Sequence, residues 1–262
     1  MPLLNAELRH GWKALLGWAI GLLVVGVVYL PFFESIGGSP EMKAMLDSLP
    51  RSLVVGMGFD IMFSGAGYVH SSILELTAAI LVVIAGVGWG ARAIGGDEEE
   101  GMLELTLAHG VGRTRVYAER ALAIVVRFLI LGVVLWAMLV ASSGPFALDL
   151  DAGRTLAGVA SLTVLAIAIA LVSLAVGAAT GRRSAAIGAG AGLAVVSYVS
   201  NVIGRQSEDW RWLAELSPFG WAFGRFPIMD GWDWPGIGSL TGLAVLAFAV
   251  GLLVFRNRDV LG

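Results

Sequence analysis

The sequence predicts an all-α integral membrane protein with six transmembrane helices. Hydrophobic residues make up 57% of its 262 residues and charged residues 14%, and the mean hydropathy is +0.83. A soluble chain of this length cannot bury so much apolar surface in one core. The chain also contains charge-free runs of about 20 residues or more, the length that a helix needs to cross a bilayer. Composition and run length therefore predict the same fold class.

Six segments have the length and hydropathy of spans, and together they form a single transmembrane domain over residues 1–262. The predicted spans are 14–33, 69–92, 120–142, 155–180, 185–204 and 236–256. Only Gly181-Arg182-Arg183-Ser184 lies between the fourth and fifth spans, so these two helices are predicted to form a tight hairpin. An even number of spans places both termini on one side of the membrane.

The distribution of Arg and Lys predicts that both termini are cytoplasmic, because cytoplasmic flanks of spans are enriched in these residues. Ten of them flank the spans on the side of the termini: Arg9, Lys13, Arg92, Arg113, Arg115, Arg120, Arg182, Arg183, Arg256 and Arg258. Six flank the opposite side: Lys43, Arg51, Arg154, Arg205, Arg211 and Arg225.

Segments outside the spans are predicted to lie at the membrane surface. Residues 1–13 place Leu4, Leu8 and Trp12 at helical spacing, which indicates either an interfacial helix or an ordinary flank. On the outer side, the connection over 34–68 is long and half apolar. Residues 205–235 contain five of the nine tryptophans: Trp210, Trp212, Trp221, Trp232 and Trp234. Because Trp favours the membrane–water boundary, this segment is predicted to lie in the outer headgroup layer or to be a plain aromatic belt.

Composition and missing motifs exclude several classes of function. The chain has no Cys, which excludes a disulfide-stapled domain, and its net charge of −3 with no basic stripe argues against nucleic-acid binding. It contains no G-x-x-x-x-G-K-[ST], H-E-x-x-H or G-x-S-x-G sequence, and its three histidines are scattered. We therefore predict no catalytic residue, no metal site and no cofactor bound by this chain.

The inner segment 95–119 carries the most informative pattern. It contains four consecutive acidic residues: Asp97, Glu98, Glu99 and Glu100. The first and fourth have the spacing of a capping box, and acidic side chains stabilise the first turn of a helix. Leu103 and Leu107 share a face, next to a stripe with Glu100 and Glu104. The pattern predicts an amphipathic helix over 98–109 that docks on a partner or on the inner ends of its own spans.

Two ionisable residues within predicted spans are candidates for function, since such groups are costly in a bilayer. Glu75 lies about 9 Å from the outer end of its span and Arg127 about 12 Å from the inner end of its own, by helical rise per residue. Their offset along the membrane normal of about 10 Å implies no direct pair, and Arg127 can extend inward to the interface. Three glycine pairs at small-xxx-small spacing predict close helix packing: Gly17 and Gly21, Gly86 and Gly90, and Gly188 and Gly192.

Three stretches resemble the membrane subunits of type-2 ABC exporters, and among them the permeases of antibiotic and polyketide exporters. The first is Glu99-Glu100-Gly101-Met102-Leu103-Glu104-Leu105 through Val111-Gly112-Arg113, which is similar to the family's loop between its second and third spans. The others are Ser217-Pro218-Phe219 with Trp221, Pro227, Gly231 and Trp234, and the ending Phe255-Arg256-Asn257-Arg258-Asp259. Gly110 stands where the family often has Pro, so we expect the backbone at the end of this helix to be less rigidly fixed.

The resemblance implies a role for the inner segment. In this family the loop is a coupling helix that sits in a cleft of a separate ABC ATPase subunit, which binds the ATP and Mg. The residues assigned to coupling are Glu98, Glu99, Glu100, Gly101, Leu103, Glu104, Leu107 and Arg113. A second permease copy, identical or paralogous, would complete the pathway. An unidentified small hydrophobic or amphipathic substrate would then cross the cell membrane at the interface of the two permeases.

Two other functions compete with this one. Ion-driven secondary transporters often contain inverted repeats, but halves of 1–142 and 150–262 would have to match the long 34–68 connection with the four residues 181–184. A non-transporting membrane scaffold would leave the acidic inner segment unexplained.

Overall fold

The computed structural model describes residues 2–36, 44, 48–49 and 63–258, so most of the predicted 34–68 connection lies outside the described residues. The helices are α1 (Pro2–Ile36), α2 (Gly65–Glu99), α3 (Met102–Ala108), α4 (Arg113–Ser143), α5 (Ala152–Thr180), α6 (Arg183–Gly204), α7 (Arg211–Glu215), α8 (Pro218–Phe223), α9 (Pro227–Asp230) and α10 (Trp234–Asn257). A short 3₁₀ turn, Glu208–Trp210, precedes α7.

Six of these helices, α1, α2, α4, α5, α6 and α10, are long and apolar enough to cross a membrane. The predicted all-α membrane fold with six spans is therefore confirmed. Several helices extend beyond the predicted spans, since helical hydrogen bonding continues through polar flanks that a count of apolar residues leaves out. Thus α4 begins at Arg113 rather than at residue 120.

Residues 2–13 belong to α1, and no break separates them from the first span. The sequence had left open an interfacial helix or an ordinary flank over 1–13. The beginning of α1 is bonded to α4. The Leu4 amide donates to the Glu119 carboxylate at 2.8 Å, and the Glu7 carbonyl accepts from Arg127 at 2.8 Å. These bonds hold the first turns of α1 along the bundle, and the helix continues from there into the span.

The central helix is α5, which packs against α2, α4, α6 and α10 and is the most buried of the six. A Cβ at Gly90 of α2 would lie 2.3 Å from the carbonyl oxygen of Ala170, and one at Gly86 would lie 3.2 Å from the Ala170 side chain. The Gly86 and Gly90 pair therefore marks close packing, as predicted. At the other two predicted pairs, a Cβ would meet nothing nearer than 3.9 Å among the described residues.

The turn between α5 and α6 is the tight hairpin that the sequence predicts. Gly181 ends α5 with a φ of +66°, a left-handed conformation that Gly adopts at little cost, and α6 begins at Arg183.

The bundle has two distinct ends. At one end, which we call the loop end, lie the start of α1, helix α3 and Arg258 after α10. The opposite end, which we call the tryptophan end, consists of residues 205–235 with α7, α8, α9 and the start of α10. There Phe219, Phe223 and Ile228 are buried. Four tryptophans are 44–68% exposed: Trp210, Trp212, Trp232 and Trp234. The segment is thus a structured, packed element that leaves these tryptophans exposed.

Candidate functional site

The connection between α2 and α4 contains a shorter helix than the sequence predicted. Residues Asp97–Glu99 continue α2, and the Glu100 amide donates to the Gly96 carbonyl at 3.0 Å. Gly101 then adopts a φ of +70°, and α3 begins after it. The predicted capping box of Asp97 and Glu100 and the single helix over 98–109 are therefore wrong. The amides that a cap would bind are already paired within α2, and the left-handed Gly101 interrupts the helix.

The apolar residues of α3 lie on two faces. Leu103 is 0% exposed and belongs to the chain's own core, and Leu107 packs partly buried against that core. Met102 and Leu105 are 51% and 58% exposed, and Glu104 is exposed as well. The two leucines that were predicted to anchor a partner thus hold α3 on its own bundle. The face that remains available to a partner is formed by Met102, Glu104 and Leu105, which we call the α3 face.

The acidic residues before α3 contact other helices of the bundle. The Glu98 carboxylate pairs with Arg258, whose carbonyl in turn accepts from the Arg113 guanidinium. The Glu99 carboxylate accepts from the backbone amide of Arg183 at 2.9 Å, at the start of α6. Glu100 lies 4.0 Å from Arg92, and both side chains are at least half exposed. The loop is therefore attached to α6 and α10 as well as to its neighbours in sequence.

A buried charge network lies beneath the same loop. The Asp97 carboxylate is 2.6 Å from the Arg120 guanidinium, which also donates to the Ala93 carbonyl. The Glu7 carboxylate lies 3.8 Å from Arg120 and 3.4 Å from Arg127. Arg127 therefore extends to the loop end, as its position in the span allowed, and pairs with α1. Sequence reasoning did not find Glu7 as the partner, although it lies in the amphipathic 1–13 segment.

Glu75 lies at the other end of the bundle in a separate polar cluster, so it does not pair with Arg127. Its carboxylate accepts from the Asn201 amide nitrogen at 3.0 Å and lies 3.0 Å from the Arg205 guanidinium. The His70 Nε2 atom is 3.4 Å away, a distance suited to an ion pair if the imidazole is protonated. Glu75 thus joins α2 to the end of α6. Sequence reasoning missed His70, Asn201 and Arg205 as its partners.

The local helix type explains why His70 was missed. Residues Val69–Ala78 of α2 are a π-helix, in which backbone hydrogen bonds join residues five apart. His70 and Glu75 are five apart, so the wider turn brings onto one face two side chains that an α-helix would separate. A search for side-chain pairs three or four residues apart in the sequence could not find this pair.

Aromatic rings link this cluster to the tryptophan end. The His70 ring lies 5.6 Å from the Phe223 ring and 4.8 Å from the Phe226 ring, and the Arg205 guanidinium lies 5.6 Å from the Phe226 ring. Helices α8 and α9 are therefore held against α2 and α6. Across the described residues, no three His, Asp or Glu side chains come together as a metal site.

The sequence matches a family model over nearly its whole length. The model is described as "Multidrug efflux system permease Rv1217c, C-terminal domain", and it matches residues 6–256. The chain belongs to this family. No curated protein gave a significant match. The chain is therefore a multi-pass membrane permease, and both the α3 face and the Glu75 cluster lie within the matched residues.

Proposed function

We propose that this efflux permease is the membrane subunit of an ATP-driven exporter in the cell membrane, with both termini in the cytoplasm. A separate ABC ATPase, which binds the ATP and Mg, docks on α3. Two permeases, identical or paralogous, enclose the pathway of a small hydrophobic or amphipathic substrate.

The observation that carries this proposal is the exposed apolar pair on α3. Met102 and Leu105 are about half exposed beside the charged Glu104, at the loop end and outside the hydrophobic part of the bundle. Apolar side chains rimmed by polar groups are typical anchors of a protein interface. An α3 face of this kind suits a partner cleft with an apolar floor and a basic rim.

The contacts of the loop offer a route from such a partner to the spans. Glu98 is joined to the end of α10, Glu99 to the start of α6, and Asp97 to α4. A partner that displaces α3 would therefore pull on several spans at once. This is what coupling between a docked ATPase and a transport pathway requires.

The experiment compares two leucines of the same helix in the full-length chain, expressed with an affinity tag in its native membranes. Leu105→Ala should weaken retention of the co-purified P-loop ATPase by about 30-fold, as expected for an anchor worth about 2 kcal/mol, and leave the melting temperature unchanged. Leu103→Ala should lower the melting temperature, because truncating a buried Leu costs roughly 2–5 kcal/mol.

The matched control is Leu216→Ala, which removes a leucine that is 68% exposed at the tryptophan end. It should change neither quantity. Equal ATPase retention by wild type and the Leu105→Ala variant would contradict the docking proposal.

A second candidate, an ion-driven transporter, is favoured by the buried His70 and Glu75 pair. Titratable groups inside spans are common in proton relays. Liposomes containing this chain alone would distinguish the two. Transport that follows an imposed proton gradient without any ATPase would support the ion-driven function and exclude the ATP-driven one.

A further inference from the structure

The tryptophan end contains a cavity of about 820 Å³ between α6, α7, α8 and the start of α10. Its walls combine the backbone of Gly204 and Gly220 with charged side chains and the rings of Trp221 and Phe226. The proposed coupling to an ATPase concerns the opposite end of the bundle and makes no use of this cavity.

Close backbone packing forms the walls of the cavity. A Cβ at Gly204 would lie 2.5 Å from the amide nitrogen of Ala214, and one at Gly220 would lie 1.9 Å from the Ala214 carbonyl oxygen. The α7 backbone thus lies directly against both α6 and α8. Because such contacts leave no room for side chains, the cavity follows from the fold itself and not from loosely packed surface groups.

The charges that line the cavity are balanced. They comprise three arginines and three acids: Arg205, Arg211, Arg225, Glu208, Glu215 and Asp233. Arg211 lies 3.2 Å from Glu215, and the Arg225 guanidinium lies 3.8 Å from the buried Asp233 carboxylate. The Arg225 side chain is 70% exposed, so most of its N–H donors remain available to a ligand. The cavity presents both signs of charge with no formal excess of either.

Asn201, one of the residues that line the cavity, carries a buried acceptor without a partner. Asn201 is 0% exposed, and its amide nitrogen donates to Glu75 at 3.0 Å. Its Oδ1 atom has no hydrogen-bond partner within the described part of the chain. A buried acceptor without a partner costs about 1–3 kcal/mol, and a ligand that brings a donor would remove this cost. An ammonium group carries three donors and no acceptor.

The exposed tryptophans indicate the depth of the cavity. Trp210 precedes α7 and Trp212 lies in its first turn, and Trp232 stacks at 5.3 Å on Trp234, the first residue of α10. Trp side chains favour the level of the lipid headgroups. Molecules at that level carry phosphate and ammonium groups at high local concentration.

We propose that this cavity binds an amphiphile with an ammonium–phosphate headgroup. The phosphate contacts Arg205 and Arg225, and the ammonium faces the Oδ1 atom of Asn201 and the carboxylate of Glu215. The headgroup belongs either to an aminophospholipid of the outer leaflet or to a soluble zwitterion of the same chemistry.

The test uses the purified, delipidated full-length chain and native mass spectrometry to measure dissociation constants. The probes are short-chain phosphatidylethanolamine, phosphatidylglycerol with the same acyl chains, and soluble phosphoethanolamine. We expect phosphatidylethanolamine to bind about tenfold more tightly than phosphatidylglycerol, which lacks the ammonium. Arg225→Gln and Asn201→Leu should each weaken that binding by about tenfold.

The matched control is Arg182→Gln, which removes an exposed arginine at the loop end and should bind like wild type. Asn201 also bonds Glu75, so Asn201→Leu can disturb folding. Arg225 is exposed, so the binding measured for Arg225→Gln decides the test. Binding of soluble phosphoethanolamine as tight as that of the lipid assigns the site to a soluble zwitterion, and binding of the lipid alone assigns it to the membrane. Equal binding of the two lipids, or unchanged binding by Arg225→Gln, would overturn the proposal.

Discussion

The carboxylate of Asp97, at the end of α2, lies 2.6 Å from the guanidinium of Arg120 in α4, and their side chains are only 20% and 6% exposed. This pair joins the second and third spans on either side of α3. Any force on α3 therefore acts on two spans that are already connected by a buried charge pair. The same guanidinium lies 3.8 Å from Glu7, which extends the connection to α1.

Asp97→Asn should destabilise the protein by about 2 kcal/mol, because it removes the charge that compensates a buried guanidinium. Thermal unfolding of the purified protein in detergent measures the effect. The control is Asp209→Asn, which neutralises an exposed acid at the tryptophan end and should leave the melting temperature unchanged. Equal melting temperatures of the Asp97→Asn variant and the wild type would show that the pair contributes nothing to stability.

The Glu75 and Arg205 pair should be energetically coupled. In a double-mutant cycle of Glu75→Gln and Arg205→Gln, we expect an interaction free energy of about 1 kcal/mol or more, since the carboxylate is shielded from water. The exposed Glu208 and Arg211 pair, at 3.5 Å, is the matched comparison, and its coupling should be about 0–0.5 kcal/mol. Couplings of the same size in both cycles would refute a special role for the Glu75 cluster.

Gly90 should not tolerate a methyl group. Gly90→Ala would place a Cβ 2.3 Å from the Ala170 carbonyl oxygen and force α2 away from α5, at a cost of roughly 1–3 kcal/mol. Gly88→Ala, in the same helix, would meet nothing within 4 Å and should be neutral or slightly stabilising. Melting temperatures of the two variants test the packing, and similar losses in both would contradict it.

The proposed orientation can be tested with single cysteines, because the chain contains none of its own. A membrane-impermeant thiol reagent should label Ser207→Cys at the tryptophan end in intact cells. Thr114→Cys and Ser184→Cys, both exposed at the loop end, should react only after lysis. Labelling of the Thr114→Cys variant in intact cells would reverse the assignment of the two ends.

Several features of this protein could be predicted from the sequence because they depend on composition and short-range order. Apolar run length alone predicts the six spans, and Gly181 with two arginines predicts the turn between α5 and α6. Each of these depends on residues near one another in the chain, so no knowledge of distant contacts is required.

Other features were decided only by the tertiary structure. The sequence places Leu103 on an apolar face but does not say whether that face meets a partner or the chain itself. Packing buries it and leaves Met102 and Leu105 exposed. Likewise, Glu75 meets Arg205 because two spans far apart in sequence lie side by side, and it meets His70 because α2 widens to a π-helix there. The apolar pattern reveals neither fact, since the first depends on the packing of two helices and the second on a local change of helix type.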